Sequence, residues 1–498
     1  MTPIQHIHTY RLELTVFCSG AVVMIFELAG SRVLGPFIGT SIFVWTSIIG
    51  IILGSLSIGY YGGGRLADRY PNVRMLSRIL LAASIAVLLS ITLKDALLIR
   101  LTASIQSIKI VSILGSILLF APASALLGMV SPYAAKLKID ELHHSGSTVG
   151  TLYAISTVGS IAGTFLAGFF LIPALGTTMI LILLCTILIL LSLLMQPRED
   201  VLLRIGVLAL IAIVWGGTYV RTQALEAKNF FDLDTQYSRV WVFDAPHTQT
   251  NRMVRSMQIG ASNSAAMFLD DENELVFDYL QHYALAEHFV PKFTHSLLIG
   301  GAAYTYPAHY LAHYPDATID VIEIDPALTD IARTHFNLKD NPRLAIYHED
   351  ARTFLNRADT TYDVIFGDAF SSLYSIPFQL TTREAVRKKF DLLSDNGAVL
   401  LNIISPLTGN GASFLAAEYA TYQSVFPNVY LYQVRDAGAE KIQNVILVAS
   451  KAASPTLESD APKLQALLDR RHTAPLPSAS ILTDEHAPVQ YMVYTMLQ

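Results

Sequence analysis

Long runs of apolar residues alternate with short polar connections over the first half of the chain, and the pattern then changes to that of a water-soluble protein. No Asp, Glu, Lys or Arg occurs over residues 33–64, 110–135 or 142–197. An apolar helix of about 20 residues is long enough to cross a bilayer. We therefore predict seven membrane-spanning helices, at about residues 12–34, 39–62, 75–94, 110–134, 149–172, 177–196 and 203–221.

The composition supports a membrane-embedded first half and argues against nucleic acid as a partner. Of the 498 residues, 52% are hydrophobic and only 15% are charged, whereas charged residues make up about 25% of soluble domains. The net charge is −6 and no basic block occurs, so a nucleic-acid interface is not expected. We expect the lipid bilayer to surround residues 1–228, and this bundle could also hold copies of the chain together as an oligomer.

The second half has the pattern of a soluble α/β domain. Short alternating runs over residues 229–290 predict a small β-rich part that includes a helix over residues 271–288. Residues 291–498 alternate apolar strand runs with helical segments, which predicts a mostly parallel sheet covered by helices on both faces. The predicted fold is therefore a multi-pass helical membrane bundle, a small antiparallel sheet and an α/β Rossmann-like domain of the methyltransferase type.

The stretch Leu297–Asp325 begins this domain and carries its clearest chemical signal. A short apolar strand leads into a turn that starts with Gly300 and Gly301, and a helix and a second apolar strand follow, ending on Glu323. Glycine lets a ligand approach the backbone closely, and an acid about 20 residues later suits the two hydroxyls of a ribose. The third glycine of the dinucleotide fingerprint is missing, so the stretch favours a nucleoside over a nicotinamide cofactor.

Three acids follow predicted strands directly, at the edge where open α/β sheets bind their ligands. Glu323 suits ribose hydroxyls, and Asp350 suits an exocyclic amino group. Asp368 lies nearer the reacting end, where it could hold a cation or take a proton. The alternative for each acid is a helix cap or a surface charge.

Several motifs together resemble the spermidine synthase family, and specifically its membrane-fused branch. The soluble half contributes LLIGGAAYTYP, VIEIDP, HEDAR, LTDEHAPV and the long segment that begins YDVIFGDAFSS and ends in AVLLNI. The bundle contributes SGAVVMIFELAGSRVLGPFIGTS and GGGRLADR. The resemblance spans nearly the whole chain and implies a Rossmann-like aminopropyltransferase domain. Such enzymes bind decarboxylated S-adenosylmethionine, move its aminopropyl group to an amine and release methylthioadenosine.

The resemblance also implies a role for individual residues. No permanently bound cofactor or metal is expected, since S-adenosylmethionine or its decarboxylated form is the substrate. The implied site has Gly300 and Gly301 at the thioether, Glu323 at the ribose, Asp350 and Ala351 at the adenine, and Asp368 as the catalytic acid–base residue.

The chain departs from the family pattern on the side of the amine acceptor. Soluble members carry an acid in the glycine turn, which holds the amino group of the donor, and a second acid after the catalytic one; Ala303 and Ser371 occupy these positions. A tyrosine and a glutamine of the acceptor pocket become Phe277 and Ser238, the latter beside Tyr237. The nucleoside half is therefore kept, whereas the half that binds a polyamine has lost much of its charge.

These departures leave several functions open. The first is aminopropyl transfer to an amine, with Asp368 as the base. The second is a lyase reaction, in which the carboxylate of intact S-adenosylmethionine attacks its own γ-carbon and leaves as a lactone. The third is a transporter or sensor without catalysis, and methyl transfer is a weaker fourth.

Two features of the chain disagree on which side of the membrane the soluble half lies. The connection over residues 64–78 holds Arg65, Arg69, Arg74 and Arg78, which places that connection in the cytoplasm. With seven spans, the chain beyond Arg221 would then lie outside the cell. A nucleoside-sulfonium substrate is expected inside, and on that ground we expect the soluble domain to be cytoplasmic.

Overall fold

The computed structural model describes residues 10–139, 145–369 and 376–496. The chain folds into two compact units. The first comprises Met1–Lys228 together with Asp232–Arg239, and the second comprises Asn229–Phe231 together with Val240–Gln498.

The first unit is a bundle of long apolar helices. Among the described residues, seven helical stretches are long and apolar enough to cross a membrane, by length and composition. This is the number predicted from the sequence, although most of the helices extend beyond the predicted ends. The helices are α1 Arg11–Ile38, α2 Ile42–Arg69, α3 Val73–Ser104, α4 Ile108–Gly128, α5 Val130–Lys138, α6 Ser145–Leu166, α7 Ile172–Ala174, α8 Thr177–Met195 and α9 Val201–Glu226. A π-helical turn, Ala167–Leu171, joins α6 to α7.

Glycines bring two pairs of these helices into backbone contact. A Cβ added at Gly159 of α6 would lie 2.0 Å from the carbonyl oxygen of Phe17 on α1. One added at Gly59 of α2 would lie 2.1 Å from the carbonyl oxygen of Ala125 on α4. Both crossings therefore require glycine, as in small-residue helix interfaces generally.

Two GxxxG motifs of the apolar helices, one at Gly50 and Gly54 and the other at Gly159 and Gly163, differ in their packing. Gly159 and Gly163 both press against the backbone of α1. Around Gly50 and Gly54, in contrast, no described atom lies within 4 Å of an added Cβ. The close approach of α2 to α4 comes further along the helix, at Gly59.

Twelve strands form two sheets in the described residues. They are β1 Phe230–Asp234, β2 Arg239–Pro246, β3 Met253–Ile259, β4 Ser262–Phe268, β5 His295–Ile299, β6 Thr318–Ile322, β7 Leu344–Tyr347, β8 Tyr362–Gly367, β9 Leu393–Ser405, β10 Asn428–Gln433, β11 Gln443–Ser450 and β12 Arg471–His472. Strands β1 to β4 form a four-stranded sheet in chain order, which confirms the small sheet predicted after the bundle.

The hairpin of β1 and β2 has its tip in the helical unit. The carboxylate of Asp234 accepts a hydrogen bond from the main-chain N–H of Thr177 at the start of α8, 2.9 Å away. Arg239 donates to both carboxylate oxygens of Asp232, at 2.7 and 2.6 Å, and to Asp95 of α3 at 3.3 Å. Residues 232–239 are therefore fastened to the ends of the apolar helices.

The second unit is built on an eight-stranded sheet with the order β12-β10-β11-β9-β8-β5-β6-β7. Strands β5 to β9 run parallel to one another, and β11 runs antiparallel to both of its neighbours, β9 and β10. The predicted Rossmann-like domain and its mostly parallel sheet are confirmed, and β11 and β12 are its antiparallel strands. The central strands β5, β6 and β8 are buried on both faces, as expected for strands covered on both sides.

Helices cover both faces of this sheet. They are α10 Asp278–Gln281, α11 Leu285–Phe289, α12 Thr305–His313, α13 Pro326–His335, α14 Ala351–Arg357, α15 Arg383–Leu392, α16 Ser413–Gln423, α17 Pro462–Leu468 and α18 Val489–Met496.

The helix predicted over residues 271–288 is wrong at its start. Asp271 accepts a hydrogen bond from the N–H of Asn273, 3.0 Å away, as in an Asx turn. Leu275 then forms an antiparallel bridge to Met267 of β4. These local bonds keep the segment extended, so helical structure begins only with α10.

Candidate functional site

Backbone hydrogen bonds continue the sheet just beyond the ends of four neighbouring strands. The N–H of Asp368 donates to the carbonyl of Ile299 at 2.8 Å, and that of Glu323 donates to Tyr347 at 3.0 Å. Between them, the N–H of Gly300 donates to Ile322 at 2.9 Å. The segments that follow β8, β5, β6 and β7 are thus held side by side at one edge, where Rossmann-like sheets bind ligands.

The turn after β5 requires glycine at its first position. Gly300 has φ +100°, and a Cβ there would lie 2.7 Å from the carbonyl oxygen of Asp368. Only glycine adopts this conformation without strain, so the close approach of the turn to Asp368 depends on it. A Cβ at Gly301 would in turn meet the ring of Tyr304 at 2.7 Å.

Glu323 folds back onto the glycine turn. One carboxylate oxygen accepts hydrogen bonds from the N–H groups of Gly301 and Ala302, both at 3.0 Å. The other oxygen accepts from the N–H of Asp325, also at 3.0 Å. Burial raises the pKa of Glu323, and these N–H groups act against that rise by stabilising the charged form.

The bonds to Glu323 leave limited room for a ligand. A carboxylate has about four lone-pair positions, and three are used inside the protein. Glu323 therefore shapes the turn and could accept a hydrogen bond from one further hydroxyl.

Asp350 and Ala351 lie at the start of α14, beyond β7. Asp350 caps this helix, because its Oδ1 accepts from the N–H of Thr353 at 2.9 Å. Ala351 is the first helical residue and packs partly against the core. Asp350 is thus a helix cap, which was the alternative to ligand binding. Contact of Asp350 and Ala351 with an adenine stays a prediction.

Asp368 is held by two side chains, one on each carboxylate oxygen. The hydroxyl of Tyr279 donates to Oδ2 at 2.8 Å, and the amide of Asn402 donates to Oδ1 at 3.2 Å. Asn444 orients this amide by donating to the side-chain oxygen of Asn402 at 2.9 Å. Burial raises the pKa of Asp368 to about 7, although both donors stabilise the charged form. A carboxyl with such a pKa can take up or release a proton near neutral pH.

Aromatic rings surround this carboxyl group. Tyr283 is fully buried, and its hydroxyl donates to the carbonyl of Gly367 at 3.1 Å. The rings of Tyr306 and Phe366 pack against Tyr283 with centroids 5.0 Å away. Phe277 stacks on Tyr279 at 5.8 Å, so this predicted acceptor-side residue lies next to a side chain that contacts Asp368.

The other predicted acceptor-side residues are distributed differently. Ala303 is only 1% exposed and lies in the turn that follows β5. Tyr237 and Ser238 belong to the hairpin tip that folds with the helical unit. Ser371 lies outside the described residues. A role for these four residues in binding an acceptor stays a prediction.

Sequence reasoning missed Tyr279 and Asn402. Tyr279 belongs to the small β-rich part and Asn402 to β9, so neither residue follows a parallel strand directly. A search for acids at strand ends could not find them. The signal available was the polar Asn402 within an otherwise apolar run, Ala398–Ile403.

No family model matches the chain. A polyamine aminopropyltransferase of Vibrio vulnificus is 29% identical over 174 residues, which is 34% of this chain and 56% of the relative. The chain thus matches little more than half the length of this relative. Polyamine aminopropyltransferase 1 of Streptomyces coelicolor is 23% identical over 430 residues, covering 80% of this chain and 76% of the relative. The resemblance to spermidine synthases is confirmed for part of the chain.

Solved structures of spermidine synthases are also similar to part of this chain, with lower sequence identity. A probable spermidine synthase from Corynebacterium glutamicum superimposes with a TM-score of 0.40 and 22% identity, covering 46% of this chain and 82% of that one. Spermidine synthase from Thermotoga maritima gives a TM-score of 0.36 and 19% identity, covering 50% of this chain and 80% of that one.

The raised pKa of Asp368 depends on its two donors in a way that can be tested. Removing the hydroxyl in Tyr279→Phe deletes a hydrogen bond to the charged form, so the pKa of Asp368 should rise further above about 7. Infrared titration of the full-length protein in detergent measures this through the carbonyl band of the protonated carboxyl, which Asp368→Asn identifies.

Tyr310→Phe is the matched control, because the hydroxyl of Tyr310 donates to Ser296 at 2.9 Å and not to Asp368. We expect this variant to leave the titration unchanged. A wild-type Asp368 that titrates near 3.8, its ordinary value, would contradict the burial argument.

Proposed function

We propose that the chain is an enzyme of the aminopropyltransferase type that binds a nucleoside-sulfonium compound and breaks its carbon–sulfur bond, releasing methylthioadenosine. One observation carries this proposal: the glycine turn and three acids follow four neighbouring strands, and the acid at the end of the row is buried with a pKa of about 7. Similarity to polyamine aminopropyltransferases over part of the chain supports the same reaction class.

In the proposed transfer, the nitrogen of a neutral amine attacks the propyl carbon bound to the sulfonium sulfur. The new carbon–nitrogen bond forms as the carbon–sulfur bond breaks, and the electron pair of the broken bond stays on sulfur. Methylthioadenosine leaves as a neutral thioether. Asp368 takes the proton that the amine loses, as a general base with a pKa near the working pH.

The surroundings of Asp368 favour an acceptor with a single amino group and an apolar remainder. A diamine would carry a second charge, which needs its own carboxylate once water is removed. The acids that flank Phe277 and Tyr279 in the chain are already paired: Asp278 with Arg435 at 2.6 Å, and Glu274 with Arg252 at 2.7 Å. Residues 370–375, FSSLYS, contain no acid. The aromatic rings around Asp368 would instead contact an apolar group.

A lyase acting on intact S-adenosylmethionine is the second candidate, and Ala303 favours it. A carboxylate in the glycine turn would repel the carboxylate of that substrate, and Ala303 offers none. In this reaction the substrate carboxylate attacks its own γ-carbon, a carbon–oxygen bond replaces the carbon–sulfur bond, and the products are methylthioadenosine and a lactone. The protein would mainly hold the reactive conformation.

Methylthioadenosine release by the full-length protein distinguishes these functions. We expect release from decarboxylated S-adenosylmethionine when a monoamine such as butylamine is supplied, and slower release with putrescine. Release from S-adenosylmethionine without any amine would establish the lyase instead. Saturable binding of both compounds without release would contradict an enzyme and support a sensor.

Asp368→Asn tests the role of the buried acid. Without a base the transfer should slow by roughly 10²- to 10⁴-fold in kcat. Asp359→Asn is the control, since Asp359 is an exposed aspartate that precedes the same strand, and we expect it to keep wild-type activity. Full activity in Asp368→Asn would show that this residue is not the base.

We further propose that the first unit lies in a membrane and that the chain beyond α9 is cytoplasmic, because a sulfonium nucleoside is a cytoplasmic compound. The arginines at the end of α2 and the start of α3 favour the opposite side, although Arg74 pairs with Glu199 at 2.6 Å and Arg78 with Asp200 at 2.8 Å. Reporter proteins fused to the C-terminus decide the question. We expect a fusion with green fluorescent protein to fluoresce, which indicates a cytoplasmic C-terminus. An active fusion with alkaline phosphatase would place this end outside the cell.

A further inference from the structure

Two motifs that carry the family resemblance, HEDAR and LTDEHAPV, meet in the structure through one ion pair. Arg352 of the first motif donates to Asp484 of the second, with 2.6 Å between Nη2 and Oδ2. The side chain of Arg352 is 17% exposed and that of Asp484 is 47% exposed, so the arginine is the more buried partner of the pair. Neither residue belongs to the site described above.

Thr382 closes the contact into a ring of three side chains. Its hydroxyl donates to Oδ1 of Asp484 at 2.6 Å and accepts from Nη1 of Arg352 at 3.1 Å. Thr382 is fully buried and caps α15. We call Arg352, Thr382 and Asp484 the clamp.

The clamp holds a turn of the backbone as well as side chains. Arg352 also donates to the carbonyl of Gln379 at 3.0 Å, within the short helical turn Phe378–Leu380. The next carbonyl, that of Leu380, accepts from the buried amino group of Lys389 at 3.1 Å. Two cations from different helices therefore fix consecutive carbonyl groups of this turn.

The terminal motif is fastened to the same place by its backbone. The N–H of Asp484 donates to the carboxylate of Glu384 at 3.0 Å, and the N–H of Arg383 donates to the carbonyl of Leu482 at 2.8 Å. The start of α15 and the terminal motif thus form one rigid junction around Thr382.

Arg352 links this junction to the edge of the sheet formed by the segments that follow β8, β5, β6 and β7, where we propose that the nucleoside binds. It lies two residues after Asp350, whose cap fixes the first turn of α14. We propose that Arg352 and Asp484 are positioning residues, which set the place of the turn Phe378–Leu380 against the start of α14 and so shape the nucleoside end of the site. This rests on the proposed function, because it assumes that a nucleoside binds at that edge.

A positioning role predicts a loss of nucleoside affinity with little change in the chemical step. Removing Asp484 leaves the largely buried Arg352 without its counter-charge, and removing the guanidinium of Arg352 frees the carbonyl of Gln379 and the hydroxyl of Thr382. A small displacement of a binding wall can cost up to about 10²-fold. We expect Arg352→Gln and Asp484→Asn each to raise the donor KM and the methylthioadenosine Kd by roughly 10- to 100-fold, while kcat stays within about twofold of wild type.

The double variant distinguishes a shared role from two separate ones. If both residues act through the clamp, Arg352→Gln with Asp484→Asn should weaken binding no more than the worse single change, because interacting residues are not additive. Arg352→Lys keeps a positive charge but lacks the planar guanidinium, whose two nitrogens reach Asp484 on one side and Gln379 with Thr382 on the other. It should therefore fall between wild type and Arg352→Gln. It also provides a readout if the larger change prevents folding.

Arg357→Gln is the control, because Arg357 lies on the same helix and pairs with Glu349 while 62% exposed. We expect methylthioadenosine titrations of the full-length protein to give wild-type affinity for this variant. Unchanged affinity in Arg352→Gln, Arg352→Lys and Asp484→Asn, or fully additive effects, would overturn the clamp alone. A wild-type protein that binds no methylthioadenosine would overturn the proposed function, and the clamp with it.

Discussion

The hydrogen bonds that continue the parallel sheet past its strand ends are the constraint on which the site depends. Parallel strands expose their carboxyl ends at one edge, and each bond at that edge fixes the residue that follows a strand against its neighbour. Asp368 is bonded in this way to β5, and Glu323 to β7. Residues far apart in the chain are thereby held a few ångströms from one another before any ligand is present.

Burial gives this edge its chemical asymmetry. Glu323 is surrounded by main-chain N–H groups, which stabilise its charge and make it a fixed acceptor. Burial raises the pKa of Asp368, and its two side-chain donors oppose this effect without cancelling it, so the pKa lies near 7. Two carboxyl groups on neighbouring segments therefore suit different tasks, one for holding a ligand and the other for moving a proton.

The sequence was sufficient to place candidate residues at the ends of the parallel strands. Gly300, Glu323 and Asp368 were predicted because an apolar run followed by a glycine or an acid marks such an end. Tyr279 and Asn402 were not, because they reach Asp368 only through tertiary folding. The hairpin tip over residues 232–239 was likewise hidden, since its contacts with α3 and α8 join segments that are far apart in sequence.

Contacts between the helices of the bundle could not be predicted from the sequence either. The motif at Gly159 and Gly163 and that at Gly50 and Gly54 are alike in sequence, yet only the first faces another backbone. Which face of an apolar helix is covered depends on where its neighbours cross it. Composition and spacing could predict seven apolar helices but not their contacts.

A structure of the full-length protein with methylthioadenosine bound tests the central claim most directly. We predict that the ribose lies within hydrogen-bonding distance of Glu323, the adenine beside Asp350 and Ala351, and the sulfur next to Asp368. A nucleoside bound elsewhere, or one whose sulfur points away from Asp368, would contradict the account.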